Sequence, residues 1–267
     1  MQEFSDIISI VGLRHGKVAQ HWCLFSQNIQ LGNIVWLQDY SNPEERKQLR
    51  YGRILLMADR DHDGCHIKGL FINILHFFWP ELLKSSSFLQ EFITPIVKVS
   101  KGKKERRFYS LGEYRQWQKE VGSAWKSFDA KYYKGLGTST AAEAQMYFKD
   151  IEEHVISYEW GGDEDHASVA LAFSKMDIEK RKLWVQSCGM RADERLDLGK
   201  INQITISQFV HHQLILFSHA DNVRSIPSVM DGLKPGQRKV LYACFLRNLV
   251  KDTKVAQLAG YVSEKTQ

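Results

Sequence analysis

The stretch ILLMADRDHDGCHIKGLFINILHFFWPELL, residues 54–83, decides the fold. From Arg53 to Ala58 the chain is almost uninterruptedly apolar, as in a strand covered on both faces in a parallel sheet. Further on, Ile67, Leu70, Phe71, Ile74, Leu75 and Phe78 recur at helical spacing. Between the two stand Asp59, Asp61 and Asp63, followed by Gly64. The acids therefore fall in a loop at the carboxyl end of a strand, where open α/β sheets place their ligands. Carboxylates this crowded repel one another unless a cation neutralises them.

A DxDxDG run invites a calcium-loop reading. That loop needs an acidic ligand at its twelfth position, which counted from Asp59 is Leu70, and a helix where this chain has a strand-like segment. A solvated acidic turn capping the next helix stays open, since aspartate favours helix N-termini. So does a magnesium site. Residues two apart in an extended segment point the same way, so Asp59 and Asp61 can share an ion, with Asp63 in support. Magnesium held by a few carboxylates and water suits phosphoryl chemistry.

The 267 residues suffice for one large domain or two ordinary ones, and a hydrophobic share of 43% is that of a globular chain, not a disordered tail. The net charge of +5 does not by itself establish a nucleic-acid partner, but basic residues gather between Lys98 and Arg107 and between Lys234 and Lys254. Cys23, Cys65, Cys188 and Cys244 form no CxxC pair, which argues against a zinc module or disulfide framework and fits a reducing compartment. No apolar run approaches the roughly 20 residues of a membrane span, and no basic flank precedes an apolar core at the N-terminus. The expectation is a soluble intracellular protein with no membrane partner.

Beyond Pro80, EFITPIVKVS and RRFYS read as extended segments joined through KGKKE into a hairpin. Ser110 with Glu113, and Thr140 with Glu143, have capping-box spacing, and KYYKGLGTS reads as a strand entering a glycine turn. The charged, aromatic-poor residues 189–203 read as a linker. After it come helices at about 207–220, at 237–248 and around VAQLAGYV, the last two suggesting a basic helix-turn-helix.

The segments ADRDHDGCHIKGL, EFITPIVK, KYYKGLGTST, LAFSK, LILFSHADNVRSIPSVMDGLKPGQRKVL and KVAQLAGYVSE resemble, in this order, the breakage-reunion core of eukaryotic type II DNA topoisomerase. The resemblance implies an α/β fold: a partial TOPRIM domain with a Rossmann-like parallel sheet, then a mainly helical winged-helix segment. In that scheme residues 1–17 end an upstream TOPRIM part, 18–38 are an insertion, 39–188 are the TOPRIM domain with its following helices, 189–203 are the linker, and 204–267 are a truncated winged-helix domain. It also implies that Asp59, Asp61 and Asp63 hold Mg2+ near the scissile phosphate. Lys134, Gly135 and Gly137 would lie against the DNA, and Lys234, Arg238 and Lys239 would reach its backbone. Without the resemblance, these last three read equally well as a solvated basic helix face. The family implies a nuclear homodimer acting on double-stranded DNA: a tyrosine hydroxyl attacks phosphorus, metal neutralises the developing charge, a second duplex passes with ATP, and the break is resealed.

The sequence departs from the family pattern in ways that bear on activity. The EGDSA glutamate that completes the metal site, the ATPase region and the attacking arginine-tyrosine pair are expected outside it, so these residues alone are expected not to cleave DNA. Tyr261, within the last helix, is not the nucleophile. The family runs from GLRHGK almost directly to DYSNPEERKQLRYG, whereas VAQHWCLFSQNIQLGNIVWLQ intervenes here at 18–38. Valine codons begin with GT and a glutamine codon can end in AG, so the segment reads as a translated intron. As a surface loop instead, it would need a partner surface for Trp22, Phe25, Ile34, Val35 and Trp36. The alternatives for function are a TOPRIM primase or nuclease, which would share the acids but not GLKPGQRKVL, a non-catalytic DNA-binding fragment, and a calcium-binding interaction module.

Overall fold

A computed structural model describes residues 2–13, 40–102, 104–133, 135–187 and 201–266. The insertion at 18–38, Lys134, most of the expected linker, Cys23 and Cys188 lie outside the described residues. The chain packs as two compact units, Met1–Ile215 and Leu216–Gln267.

In the first unit, α1 (Gln2–Val11) and the single turn α2 (Pro43–Arg46) precede β1 (Ile54–Leu56), α3 (His62–Phe78), α4 (Pro80–Leu83) and β2 (Leu89–Phe92). Then come β3 (Val97–Lys101), β4 (Lys104–Phe108), α5 (Leu111–Val121), β5 (Asp129–Tyr132), α6 (Ala141–Lys149) and β6 (Val155–Glu159). The unit closes with α7 (Asp163–Phe173), α8 (Ile178–Gln186), β7 (Gln203–Thr205), α9 (Ile206–Phe209) and a π turn, Val210–Leu214.

One sheet has the order β1-β2-β6-β7, and two of its three pairings are parallel. The other, β4-β3-β5, is wholly antiparallel. EFITPIVKVS divides between them, β2 in the first and β3 in the second, and the break falls at Thr94-Pro95, where proline has no N–H to give to a ladder. The expected hairpin is β3–β4, with Lys101 paired to Lys104 and Gly102 at a positive φ of 61° in its turn. Val97, Val99, Phe108 and Trp117 form the core beneath it, so α5 covers the smaller sheet.

One expectation needs correction. The strand ahead of the acids is not covered on both faces: β1 is a three-residue edge strand whose side chains are all half-buried, with Met57 beyond it exposed. Among the described residues its one neighbour in the sheet is β2. By packing, the second compact unit begins at Leu216. Gln203–Thr205 pairs in parallel with β6, and Ile206, Phe209, Val210, Leu214 and Ile215 are buried, so packing divides the chain at Ile215 and Leu216.

At the centre of the larger sheet an ion pair is wholly enclosed. Lys68 of α3 reaches Glu91 of β2 at 2.7 Å, the two being 3% and 0% exposed. The Tyr158 hydroxyl of β6 donates to the same Glu91 oxygen at 2.8 Å. Burial, and then the Glu91 carboxylate, push the Tyr158 phenol far up and keep it a donor. The second unit contains most of α10 (Ile215–Ser225), then α11 (Pro235–Leu246) and α12 (Val255–Thr266), the last two packed together with the Arg247 guanidinium 5.3 Å from the Tyr261 ring.

Candidate functional site

The DxDxDG motif folds as a strand end turning into a helix. Asp61 is the N-cap of α3, extended at φ −100° and ψ −179°, and its carboxylate accepts the Gly64 N–H at 2.7 Å. Asp63 lies in the first turn, where an acid is favoured by the helix dipole. Gly64 is required by close approach: a Cβ there would sit 2.0 Å from the Asp59 carbonyl oxygen. All three aspartates are exposed.

Asp59 is held from elsewhere in the chain. The Leu136 N–H donates to its Oδ1 at 2.8 Å, across 77 residues of sequence. Gly135 abuts the same carboxylate, and a Cβ on it would lie 2.7 Å from the Asp59 carboxyl atoms. Gly137, one step into the short 3-10 turn Leu136–Thr138, faces open space. Of the two glycines read from the sequence as DNA contacts, Gly135 thus has its tight contact with the acidic loop.

Between the two aspartates, Arg60 turns the other way. Its guanidinium donates to the Thr94 carbonyl at 3.0 Å and the Tyr109 carbonyl at 2.9 Å, tying the loop to the segments flanking the smaller sheet. Burial lowers its pKa, while Glu91 pulls it back up. Nothing in the sequence flags Arg60, because both acceptors are backbone carbonyls.

The acids suit a hard cation, but among the described residues no three His, Cys, Asp or Glu side chains are grouped to hold one. Asp59 and Asp61 each have one oxygen engaged by a backbone N–H, so they supply part of a shell. Magnesium is commonly bound by one or two carboxylates with water and phosphate oxygens, and such a partial set fits it. The strand in place of a preceding helix keeps the calcium-loop geometry excluded.

A serine–histidine pair in the same unit has no nucleophilic role. Trp184 Nε1–H donates to His211 Nδ1 at 3.1 Å, so in the neutral ring Nε2 carries the proton and faces Ser168 Oγ at 3.2 Å. The Ser168 hydroxyl in turn donates to the Glu164 carbonyl at 2.8 Å. The histidine cannot act as base toward this serine.

In the second unit, Lys234, Arg238 and Lys239 are all exposed at the start of α11, with Pro235 at its first position. The Lys234 N–H donates to Gln237 Oε1 at 2.8 Å, and the Arg238 guanidinium donates to Asp231 Oδ1 at 2.7 Å. The Leu233 N–H also donates to that carboxylate, and it, followed by Arg238, holds the Asp231 carboxyl below its ordinary range.

Comparison with known proteins gives a consistent result. A family model for the C-terminal associated domain of TOPRIM matches residues 92–222, and one for the A-type subunit of DNA gyrase/topoisomerase IV matches residues 224–267. The chain is 49% identical over 255 residues to DNA topoisomerase 2-beta of Gallus gallus, a match covering 89% of this chain and 15% of that protein. It is 47% identical over 253 residues to DNA topoisomerase 2-alpha of Homo sapiens, covering 89% and 16%. The solved DNA-binding, cleavage and re-ligation domain of Plasmodium falciparum topoisomerase II superposes with a TM-score of 0.75 at 44% identity, over 99% of this chain and 32% of that one. The chain therefore spans less than a fifth of the length of these curated relatives.

Proposed function

From the premise that this chain is a stretch of the eukaryotic topoisomerase II family, covering the C-terminal associated region of TOPRIM and the start of the DNA gyrase/topoisomerase IV region, we propose that it contributes the DNA-facing part of a larger DNA topoisomerase. Within such an enzyme one duplex passes through a transient, enzyme-linked break in another, using ATP bound elsewhere. The working form is a homodimer in the nucleus. Attack on phosphorus is assigned to residues outside the present sequence, so the role of these residues is to hold DNA and metal. The domain scheme proposed is the one read from the sequence, with 204–267 as the winged-helix segment.

Asp59 and Asp61 would hold Mg2+, with Asp63 adding negative charge at the helix start; the bound ion supplies charge neutralisation at phosphate oxygens. Leu136 and Gly135 fix the direction of the Asp59 carboxylate by hydrogen bond and contact. Lys134, beside them in sequence, is proposed as a phosphate contact. Lys234, Arg238 and Lys239 would meet phosphates rather than base edges, so binding carries no sequence preference.

The observation that carries the DNA reading is the exposure of these three cations around one helix start. Its test is fluorescence anisotropy on a duplex against salt, with circular dichroism as the folding control. Replacing the three by alanine should flatten the salt slope by roughly 0.9 per lost phosphate contact. Asp231→Asn, which releases Arg238 from its intramolecular partner, should tighten binding instead. Identical slopes in folded parent and triple variant would withdraw the contact.

A further inference from the structure

We propose that Glu143 is a positioning residue that clasps the two ends of the glycine loop and so holds Leu136 against Asp59. In capping-box terms Glu143 belongs to α6: the Thr140 N–H donates to its Oε2 at 2.8 Å, and Thr140 Oγ1 accepts the Glu143 N–H. That role leaves its other oxygen unexplained. Glu143 Oε1 accepts the Tyr133 hydroxyl at 2.6 Å, and Lys131 Nζ donates to Oε2 at 2.8 Å. Tyr133 and Lys131 precede the loop and Thr140 follows it, so one carboxylate is bonded to both of its ends.

Gly135 and Leu136, between the two ends, meet the acidic tip. Tyr133 is buried, and its N–H is fixed to the Ile96 carbonyl at 2.8 Å, which anchors the near end to the smaller sheet. Between the two ends Gly135 abuts the Asp59 carboxylate and the Leu136 N–H donates to it. A short loop clamped at both ends keeps its central N–H in place at little further entropic cost. Glu143 is suited to this. Burial alone would raise its carboxyl pKa, but the hydrogen bonds from Lys131, the Thr140 backbone and Tyr133 outweigh that and hold it at about 2, so the clasp is ionised at every working pH.

This inference deepens the proposed metal reading of the tip and rests on it only for its second readout. The first is hydrogen exchange at the Leu136 amide in the full chain. Tyr133→Phe combined with Lys131→Met removes both bonds on the near side of the loop and leaves the α6 cap intact; Glu143→Gln weakens near side and cap alike. Both variants should speed Leu136 exchange by roughly tenfold, the effect of losing a hydrogen bond to a charged acceptor. Exchange in α6 should change in Glu143→Gln alone. The second readout is Mn2+ affinity by electron paramagnetic resonance, expected to fall several-fold in both variants. If the Tyr133→Phe, Lys131→Met double variant leaves Leu136 exchange as in the parent, Glu143 is a helix cap and no more, and the proposal is overturned. If exchange accelerates but even the parent binds no Mn2+, the clasp stands and the metal reading of the tip fails.

Discussion

At the start of α3, Asp59 is held by an N–H from 77 residues away and Gly64 is pressed against the Asp59 carbonyl. At the start of α11, Arg238 bonds to Asp231, seven residues before it, and Lys234 to Gln237, three after. Both helix starts carry exposed charge. The acidic one is set by the tertiary fold, the basic one by its own sequence neighbourhood. Alteration of the first unit's packing should therefore disturb the acids, whereas the cations of α11 should be exchangeable with little effect on folding.

The largest expected effect lies below the acidic tip. Lys68→Met leaves Glu91 charged and enclosed without its ion-pair partner, the Tyr158 hydroxyl still donating to it, and should cost about 3–5 kcal/mol in urea denaturation followed by tryptophan fluorescence. Adding Glu91→Gln should recover most of that loss. If the single variant is as stable as the parent, the tertiary account of the first helix start is broken. By contrast, the alanine triple variant in α11 should stay within about 0.5 kcal/mol of the parent.

A graded series of glycines sharpens the same contrast. Gly64→Ala would drive a methyl against backbone and should cost about 1–3 kcal/mol. Gly135→Ala meets a side chain that can rotate away, so the loss should be nearer ~1 kcal/mol, with the Leu136 hydrogen bond gone. Gly137→Ala meets nothing and should be neutral within about 0.5 kcal/mol.

A pH-dependent effect is expected at the far end of α3. His76 is bonded to His166 at 2.9 Å and stacked on Trp160, and burial, then His166, push its pKa down to about 4. Between pH 6.5 and about 4 the unfolded chain then binds more protons than the folded one, so stability should fall as pH falls through that window. His76→Phe should reduce the slope without abolishing it, since burial also lowers the pKa of His154.

Much of this is legible in the sequence because it is written locally. The strand-loop-helix around the acids, the β3–β4 hairpin and the Ser110 and Thr140 caps all follow from spacings of a few residues. The capping pair Thr205–Gln208 has the same spacing, but the charged stretch before it suggests a linker and hides it. Long-range contacts are what the sequence does not show. Arg60 bonding to two carbonyls, Leu136 meeting Asp59 and Glu143 reaching back to Tyr133 leave no periodicity. β1 reads as a strand covered on both faces and is only half-buried, since an apolar run does not report how far its neighbours cover it.

Arg60 can also be viewed as a mechanical part. Its stiff, planar head grips Thr94 at the bend between the two sheets and Tyr109 just past β4, while its own backbone sits between the two acids nearest the strand. A pull on the β3–β4 hairpin is thus delivered to the acidic loop through one side chain, by a route far shorter than the backbone. The guanidinium works as a strut, and lysine, with a single swivelling ammonium in place of a fork, would turn it into a slack tether.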